Sequence, residues 1–267
     1  MSIVPRDFEE DFADVPKHWL AGHAAATQIS NGVNLLFPHG ERFFVRSVKY
    51  FMDQIEDPAL LAQIKGFFGQ EGRHARAHDR FNEILRGQGY EIDQFLERYE
   101  AISSWIEAHS PPKLRLAVTA ASEHFTAILA EGAFRFDLLD AAHPAMRDLL
   151  AWHAAEEIEH KAVAFDVLKQ VDPSYALRVA GLLLATTMLG GFWAWAALVL
   201  LKQDGLSPRA TRAAMKTLPN RNPIIRRVFL RGIREYLRRD FHPSQIPNDS
   251  LATSWMAARG MHMPEAA

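Results

Sequence analysis

Residues 153–160 read HAAEEIEH and lie inside a long helical pattern. Glu157 precedes His160 by three positions and follows His153 by four. Residues at these spacings share one face of a helix, so the three side chains can reach a common metal ion. The segment therefore predicts a helix that supplies metal ligands to the interior of the protein.

Residues 71–78, EGRHARAH, repeat the Glu-x-x-His spacing with Glu71 and His74, and His78 lies on the same helix face. A single Glu-x-x-His carries little weight, because a chain with twelve histidines should contain roughly one by chance. Two copies on separate long helices are more informative. The alternative is that both pairs lie on solvated helix faces and form ordinary ion pairs.

Apolar residues recur at three- and four-residue spacing along most of the chain, which predicts an all-α protein. The predicted core helices cover residues 41–55, 58–86, 112–142 and 145–171, and a further helix covers 91–109. A loop broken by Pro38 and Gly40 is expected before the first of them. Four long helices with one intervening connection match a ferritin-like four-helix bundle with additional helices.

The predicted organisation has three parts. They are a ferritin-like bundle over 1–172, which includes an N-terminal segment 1–37 and a crossover helix 90–110; an apolar segment and basic helices over 173–241; and an irregular tail over 242–267. Apolar residues make up 48 % and charged residues 23 % of the sequence, a balance typical of folded globular proteins and not of disordered ones.

Each helix with a Glu-x-x-His pair follows a core helix that offers a further glutamate, Glu41 or Glu123. The predicted ligands are Glu41, Glu71, His74, Glu123, Glu157 and His160, with His153 as an additional imidazole and His78 as a candidate hydrogen-bonding partner of a ligand. Glu156 and Glu159 point off this stripe and are expected to face solvent, and Glu156 replaces Glu157 if the helix register is shifted.

This ligand set is that of carboxylate-bridged two-metal bundles, in which two glutamates come singly and two come in Glu-x-x-His pairs. The chain has no cysteine, which excludes thiolate zinc sites, iron–sulfur clusters and cysteine nucleophiles. The expected cofactor is two divalent metal ions, iron first, with manganese and zinc as alternatives.

The phrases FPHGERFF, FFGQEGRHARAH, SEHFT and WHAAEEIEHKAVAFDV resemble the signature of the bacterial family called predicted metal-dependent hydrolase. The resemblance spans roughly residues 15 to 240 and implies a dimetal site. The ligand order with a third histidine, HxxxExxH, is also similar to the p-aminobenzoate N-oxygenase type of di-iron protein, whose members activate dioxygen.

Three functions remain open at this level. The first is a di-iron oxidase or oxygenase, which would need an external electron donor because the sequence carries no flavin fingerprint. The second is a metal-dependent hydrolase, in which the ions polarise a carbonyl or phosphoryl oxygen. The third is a noncatalytic, membrane-associated metal-binding protein. For an enzyme we expect a small-molecule substrate, apolar or lipid-like, in a pocket lined by aromatic residues near the ligands, among them Phe44, Phe67, Phe68, Phe125, Trp152 and Phe165.

Residues 179–201 contain no charged side chain, and about 20 apolar residues suffice to cross a bilayer as a helix. Membrane contact through 179–201 and the basic region 209–239 is one prediction, and burial or an oligomer contact is the alternative. A net charge of −2 gives no global attraction for nucleic acid, and no such partner is expected. The acidic N-terminus lacks a secretion signal pattern, so a cytoplasmic location is expected, at the inner membrane face if lipid is bound.

Overall fold

The structure is a computed structural model that describes residues 3–216 and 228–261. The prediction of an all-α protein is confirmed, since the one β-type pairing among these residues is a single bridge between Leu20 and Ala142. The helices are α1 (Ala24–Asn34), α2 (Phe37–Lys49), α3 (Pro58–Gly87), α4 (Asp93–His109), α5 (Pro112–Arg135), α6 (Pro144–His160), α7 (Val163–Val171), α8 (Tyr175–Gln203), α9 (Pro208–Met215), α10 (Leu230–Tyr236) and α11 (Asp249–Ala258). Short 3₁₀ turns cover Met52–Gln54 and Pro243–Gln245.

Prolines mark the first turn of several helices. Pro58, Pro112 and Pro144 open α3, α5 and α6, where the backbone N–H that proline lacks has no helical partner in any case. The Asp57 side chain caps α3 by accepting a hydrogen bond from the Ala59 N–H at 2.9 Å. These signals place the starts of three of the four helices that carry the predicted ligands.

The predicted loop at Pro38 and Gly40 is wrong, because both residues lie inside α2, which begins at Phe37. Pro38 occupies the first turn, where it is tolerated. Gly40 is half-buried beside Tyr99, with its ideal Cβ position 3.6 Å from the Tyr99 hydroxyl. Tertiary packing thus overrides the local signals for a break.

Three predicted core helices end earlier than expected. The first, predicted over 41–55, stops at Lys49, and a 3₁₀ turn at Met52–Gln54 follows it. The third stops at Arg135, and a turn follows in which Asp137 adopts a positive φ of 50°. The fourth is divided at Lys161 and Ala162 into α6 and α7. The division comes directly after the ligand candidate on α6, so the two halves can point in different directions.

The four helices that carry the predicted ligands pack around one another. α2 contacts α3 and α5, and α6 contacts the same two helices. The side chains that point inward from all four therefore meet on a common axis, as a four-helix bundle requires. The ferritin-like assignment of this bundle and the boundaries of the three predicted parts stay predictions.

The apolar segment forms α8, which packs against α1 and α5. Gly181 lies against the backbone of Ala117, and the Trp193 indole N–H donates to the Ile29 carbonyl at 2.7 Å. Among the described residues, α8 is the one helix long and apolar enough to cross a membrane by length and composition. Its outer face leaves Leu183 63 % exposed. Membrane contact and oligomer formation stay predictions.

The C-terminal region is more ordered than expected. The tail from residue 242, predicted to be irregular, contains α11, which packs against α6. The buried Lys161 ammonium holds this segment by donating to the Asn248 side chain at 2.6 Å and to the Ile246 carbonyl at 3.0 Å. Of the predicted basic residues, Arg221, Arg226 and Arg227 lie outside the described residues.

Two glycines on α8 provide a matched test of its packing. An ideal Cβ at Gly181 would lie 2.5 Å from the Ala117 carbonyl, whereas one at Gly190 meets no atom within 4 Å. We expect Gly181→Ala to lower the free energy of unfolding by about 1–3 kcal/mol. Gly190→Ala should leave it unchanged or raise it by about 0.5–1 kcal/mol. Urea unfolding measures both, and equal stability of the two variants would contradict the packing described for α8.

Candidate metal centre

The seven predicted ligands converge in the interior of the bundle. Each lies at most 4 % exposed, although glutamate is almost never fully buried without a partner. α2 contributes Glu41; α3 contributes Glu71 and His74; α5 contributes Glu123; and α6 contributes His153, Glu157 and His160. The alternative of solvated helix faces is therefore wrong for both Glu-x-x-His pairs.

One end of the cluster is built around the His160 imidazole. Its Nε2 lies 3.2 Å from Glu71 Oε1, 3.2 Å from Glu123 Oε2 and 3.6 Å from Glu157 Oε2. Glu71, Glu123 and His160 can each offer a ligand atom within 4.8 Å of the others. Three helices thus supply one candidate metal-binding group.

The other end is built around His153 and His74. His153 Nε2 lies 2.8 Å from Glu157 Oε1 and 3.6 Å from Glu41 Oε1. His74 Nδ1 lies 3.8 Å from Glu157 Oε1 and 3.9 Å from Glu71 Oε1. Glu71 and Glu157 therefore border both ends. Glu157 Oε1 faces His153 and His74, whereas Glu157 Oε2 faces His160.

Most of the candidate ligand atoms are buried without a hydrogen-bond partner in the described chain. These atoms are both carboxylate oxygens of Glu41, Glu71 and Glu123, together with Glu157 Oε2, His74 Nδ1 and His160 Nε2. Leaving one such polar group unpaired in a protein interior costs about 1–3 kcal/mol, and more for a charged group. A divalent cation would pair many of them at once, and carboxylate oxygen with imidazole nitrogen is a donor set that suits iron, manganese or zinc.

The pKa values show the same shortage of positive charge. Burial raises the pKa of Glu41 and of Glu71 well above the ordinary glutamate value, and neighbouring carboxylates raise both further. Burial also raises the pKa of Glu123 to about 7, although His160 acts in the opposite direction. Burial alone would raise the pKa of Glu157, but His160 and His153 hold it well below its usual range. Nearby cations would favour the ionised form of every one of these carboxylates.

Hydrogen bonds fix the orientation of two of the imidazoles. His160 donates from Nδ1 to the Gln70 side-chain oxygen at 2.8 Å, which leaves Nε2 directed at the glutamates. His74 donates from Nε2 to Glu156 Oε2 at 3.0 Å, which leaves Nδ1 directed at the glutamates. Such partners set the tautomer and hold the ring in place for a metal.

A chain of hydrogen bonds orients the third imidazole. His78 donates from Nδ1 to Asn34 Oδ1 at 2.6 Å, so its Nε2 accepts from His153 Nδ1, also at 2.6 Å. His153 Nε2 then lies on the side of Glu157, 2.8 Å from Glu157 Oε1, where a metal would bind. Asn34 is held in turn by its own hydrogen bond to Asn82 at 3.0 Å. His78 thus lies where the sequence predicted, as a hydrogen-bonding partner of a ligand candidate.

The expectation that Glu156 and Glu159 face solvent is wrong. Both carboxylates are buried, with side-chain exposures of 0 % and 4 %. The Arg6 guanidinium reaches Glu156 at 3.1 Å and Glu159 at 2.9 Å and compensates their charge. Burial nevertheless raises the pKa of Glu156, to about 8. An arginine more than 140 residues away in the sequence gives no periodic signal, so sequence reasoning missed it.

Gln70 was also missed, although a signal exists. It lies four residues before His74 and therefore on the same face of α3. Besides accepting from His160, it donates to the Val4 carbonyl at 3.1 Å. A buried amide one turn from a predicted ligand is a natural hydrogen-bonding partner for that site.

Aromatic rings close the site against water. Phe67 packs edge-on to His160, with ring centroids 5.0 Å apart, and Trp152 packs edge-on to His74 at 4.8 Å. Phe37 lies 4.5 Å from the His153 ring. A dry environment strengthens electrostatic interactions between the ligands and any bound cation.

Comparison with known proteins gives one result. The family model described as predicted metal-dependent hydrolase matches residues 4–247, which include every predicted ligand. No curated protein and no solved structure matches the chain.

Glu156→Ala should weaken metal binding by about 10–100-fold, because it removes the partner that orients His74. The control is Glu83→Ala on the same helix as His74, where the side chain is 71 % exposed. Titration of the metal-free proteins with zinc or manganese, followed by calorimetry, measures the affinities. Equal metal affinities of the two variants would show that Glu156 has no role in metal binding.

Proposed function

Since the chain belongs to the predicted metal-dependent hydrolase family, we propose that its buried glutamates and histidines bind two divalent metal ions and catalyse hydrolysis. The observation that carries this proposal is the set of unpaired ligand atoms inside the bundle. Glutamates and histidines from four helices would otherwise be buried at a large cost in free energy. A buried cluster with no role would be expected to be replaced by apolar residues.

The ligands divide between two metal positions. Glu123 and His160 serve one position, and Glu41, His74 and His153 serve the other, as the grouping of their ligand atoms supports. Two carboxylates lie between these groups, Glu71 and Glu157. Their negative charge would offset the repulsion between two bound cations.

Bound divalent ions supply Lewis acidity that polarises a carbonyl or phosphoryl oxygen and activates water. The chain's own residues hold and orient the ligands: Gln70 fixes the His160 ring, Glu156 fixes the His74 ring, and His78 fixes the His153 ring. The aromatic rings around them exclude bulk water. Charge on the substrate's reacting group is thereby stabilised in surroundings of low dielectric constant.

Oxygen activation is the second candidate function. The observation that favours it is the ligand set itself, because four glutamates and paired histidines projecting inward from helices are typical of di-iron and di-manganese carboxylate bundles. An iron-loaded protein of this kind would need electrons from a separate donor. The family description supports hydrolysis better, so the oxidative function ranks below it.

Metal removal should destabilise the protein. We expect a chelator to lower the melting temperature, because it leaves the buried carboxylates without compensating charge. Restoring a metal at 100 times its Kd should add about 2.7 kcal/mol to the free energy of unfolding. Elemental analysis of protein purified without chelators should give two metal ions per chain.

The matched variants are Glu71→Gln, within the cluster, and Glu83→Gln, on the surface of the same helix. The first should lose bound metal and the second should keep it. If Glu71→Gln retains the full metal content of the unaltered protein, the proposed centre is in error.

Assays of protein loaded with different metals, with and without oxygen, separate the hydrolytic function from the oxidative one. We expect zinc- or manganese-loaded protein to hydrolyse members of an ester and phosphoester panel at the same rate with and without oxygen, because hydrolysis transfers no electrons. Glu157→Gln, which alters one of the two carboxylates between the proposed metal positions, should abolish this turnover. Oxygen consumption by ferrous-loaded protein, with no hydrolysis by any metal form, would favour the oxidative function instead.

A further inference from the structure

An apolar cavity of about 190 Å³ lies beside the metal centre, between α2, α4, α5 and α8. Its walls are mainly apolar side chains, among them Phe44, Ile106, Val118, Ala185, Met188 and Phe192. Of the aromatic residues expected from the sequence to line a pocket, Phe44 is on this wall. Phe67 and Trp152 pack against the histidines of the cluster instead. Phe125 and Phe165 belong to the hydrophobic core.

The inner end of the cavity adjoins the predicted ligands. Glu41 lines the cavity and also lies 3.6 Å from His153 Nε2. Phe37 lines the cavity and packs against the His153 ring. Neither Glu41 oxygen has a hydrogen-bond partner. A molecule in the cavity would therefore touch the cluster at Glu41.

The outer end lies where α4 ends and α5 begins. Glu107, Ser110 and Arg115 line this end, and the Glu107 carboxylate accepts a 2.7 Å hydrogen bond from Arg46. A rise of 1.5 Å per residue puts Arg115 about 12 Å from Glu123 along α5. The cavity thus extends from the helix ends towards the depth of the metal centre.

The size and the lining of the cavity define what it can hold. A cavity of about 150 Å³ lined by aliphatic and aromatic side chains is large enough to bind benzene, so this one can hold a single ring or a short alkyl chain. At the outer end, the Glu107 carboxylate already pairs with Arg46 and Arg115. A charged group placed away from the Glu41 end would lose its hydration without gaining a partner, which is costly.

We propose that this cavity binds the apolar body of the substrate, an uncharged aromatic ring or short alkyl chain, and presents the reacting group to the metal centre at the Glu41 end. The proposal rests on the proposed function for the chemistry of the reacting group. The binding of the apolar body depends only on the cavity and can be measured separately.

Two Ala→Leu variants of α8 test the proposal. Ala185 is 1 % exposed and lines the cavity, whereas Ala194 lies on the exposed face of the same helix. Ala185→Leu should fill part of the cavity and weaken toluene binding by at least about tenfold. Ala194→Leu should bind toluene as the unaltered protein does. Toluene titration followed by the rise in melting temperature measures both.

Cobalt-loaded protein reports on the connection to the metal centre. Saturating toluene should change the visible absorption of bound cobalt in the unaltered protein and in Ala194→Leu, because the cavity reaches Glu41. If toluene does not bind the unaltered protein, binds Ala185→Leu equally well, or leaves the cobalt spectrum unchanged, the proposal is overturned.

Two further controls complete the experiment. If Ala185→Leu fails to fold, Leu184→Phe, on the cavity wall, replaces it, with Leu198→Phe on the outer face as its match. Failure of the proposed function is recognised separately, since a protein that binds no metal or hydrolyses nothing can still be titrated with toluene. Toluene binding without hydrolysis would leave the cavity assignment standing and reject the hydrolytic function.

Discussion

The structure depends on one electrostatic constraint: four carboxylates and three imidazoles are buried together between four helices. Such a group cannot be stable in a protein interior unless its charges are compensated and its polar atoms are paired. Neighbouring side chains meet part of this requirement. Gln70, Glu156 and His78 pair the outer nitrogens of the imidazoles, so the inner atoms are directed towards a shared space between the glutamates.

The chain termini support this centre from outside the bundle. Arg6, at the N-terminal end, compensates Glu156 and Glu159, and so links an otherwise extended segment to the partner of His74. Lys161 follows His160 directly and anchors the segment that leads into α11. The division between α6 and α7 at this point lets the chain continue after the last ligand. Loss of either contact would therefore affect the centre through residues that do not themselves touch a metal.

The apolar helix α8 forms part of the cavity beside this cluster. Its close approach to α5 at Gly181 places Ala185, Met188 and Phe192 along the wall of the cavity that adjoins Glu41. Part of its apolar character is thereby explained by packing and by the cavity. An apolar cavity beside a charged and enclosed cluster of candidate metal ligands fits the enzyme site that we propose.

The sequence alone determined the helical class, the four helices that carry the predicted ligands and the seven side chains that converge, because the three- and four-residue spacings of a helix fix which side chains share a face. The tertiary structure alone decided the partners of those side chains. Arg6 and Glu156 meet across 150 positions of sequence, and Asn34 meets His78 across 44, so no local period records either contact. The break after His160, the continuous helix through Gly40 and the cavity beside Glu41 likewise arise from packing between helices, which periodicity within one helix cannot specify.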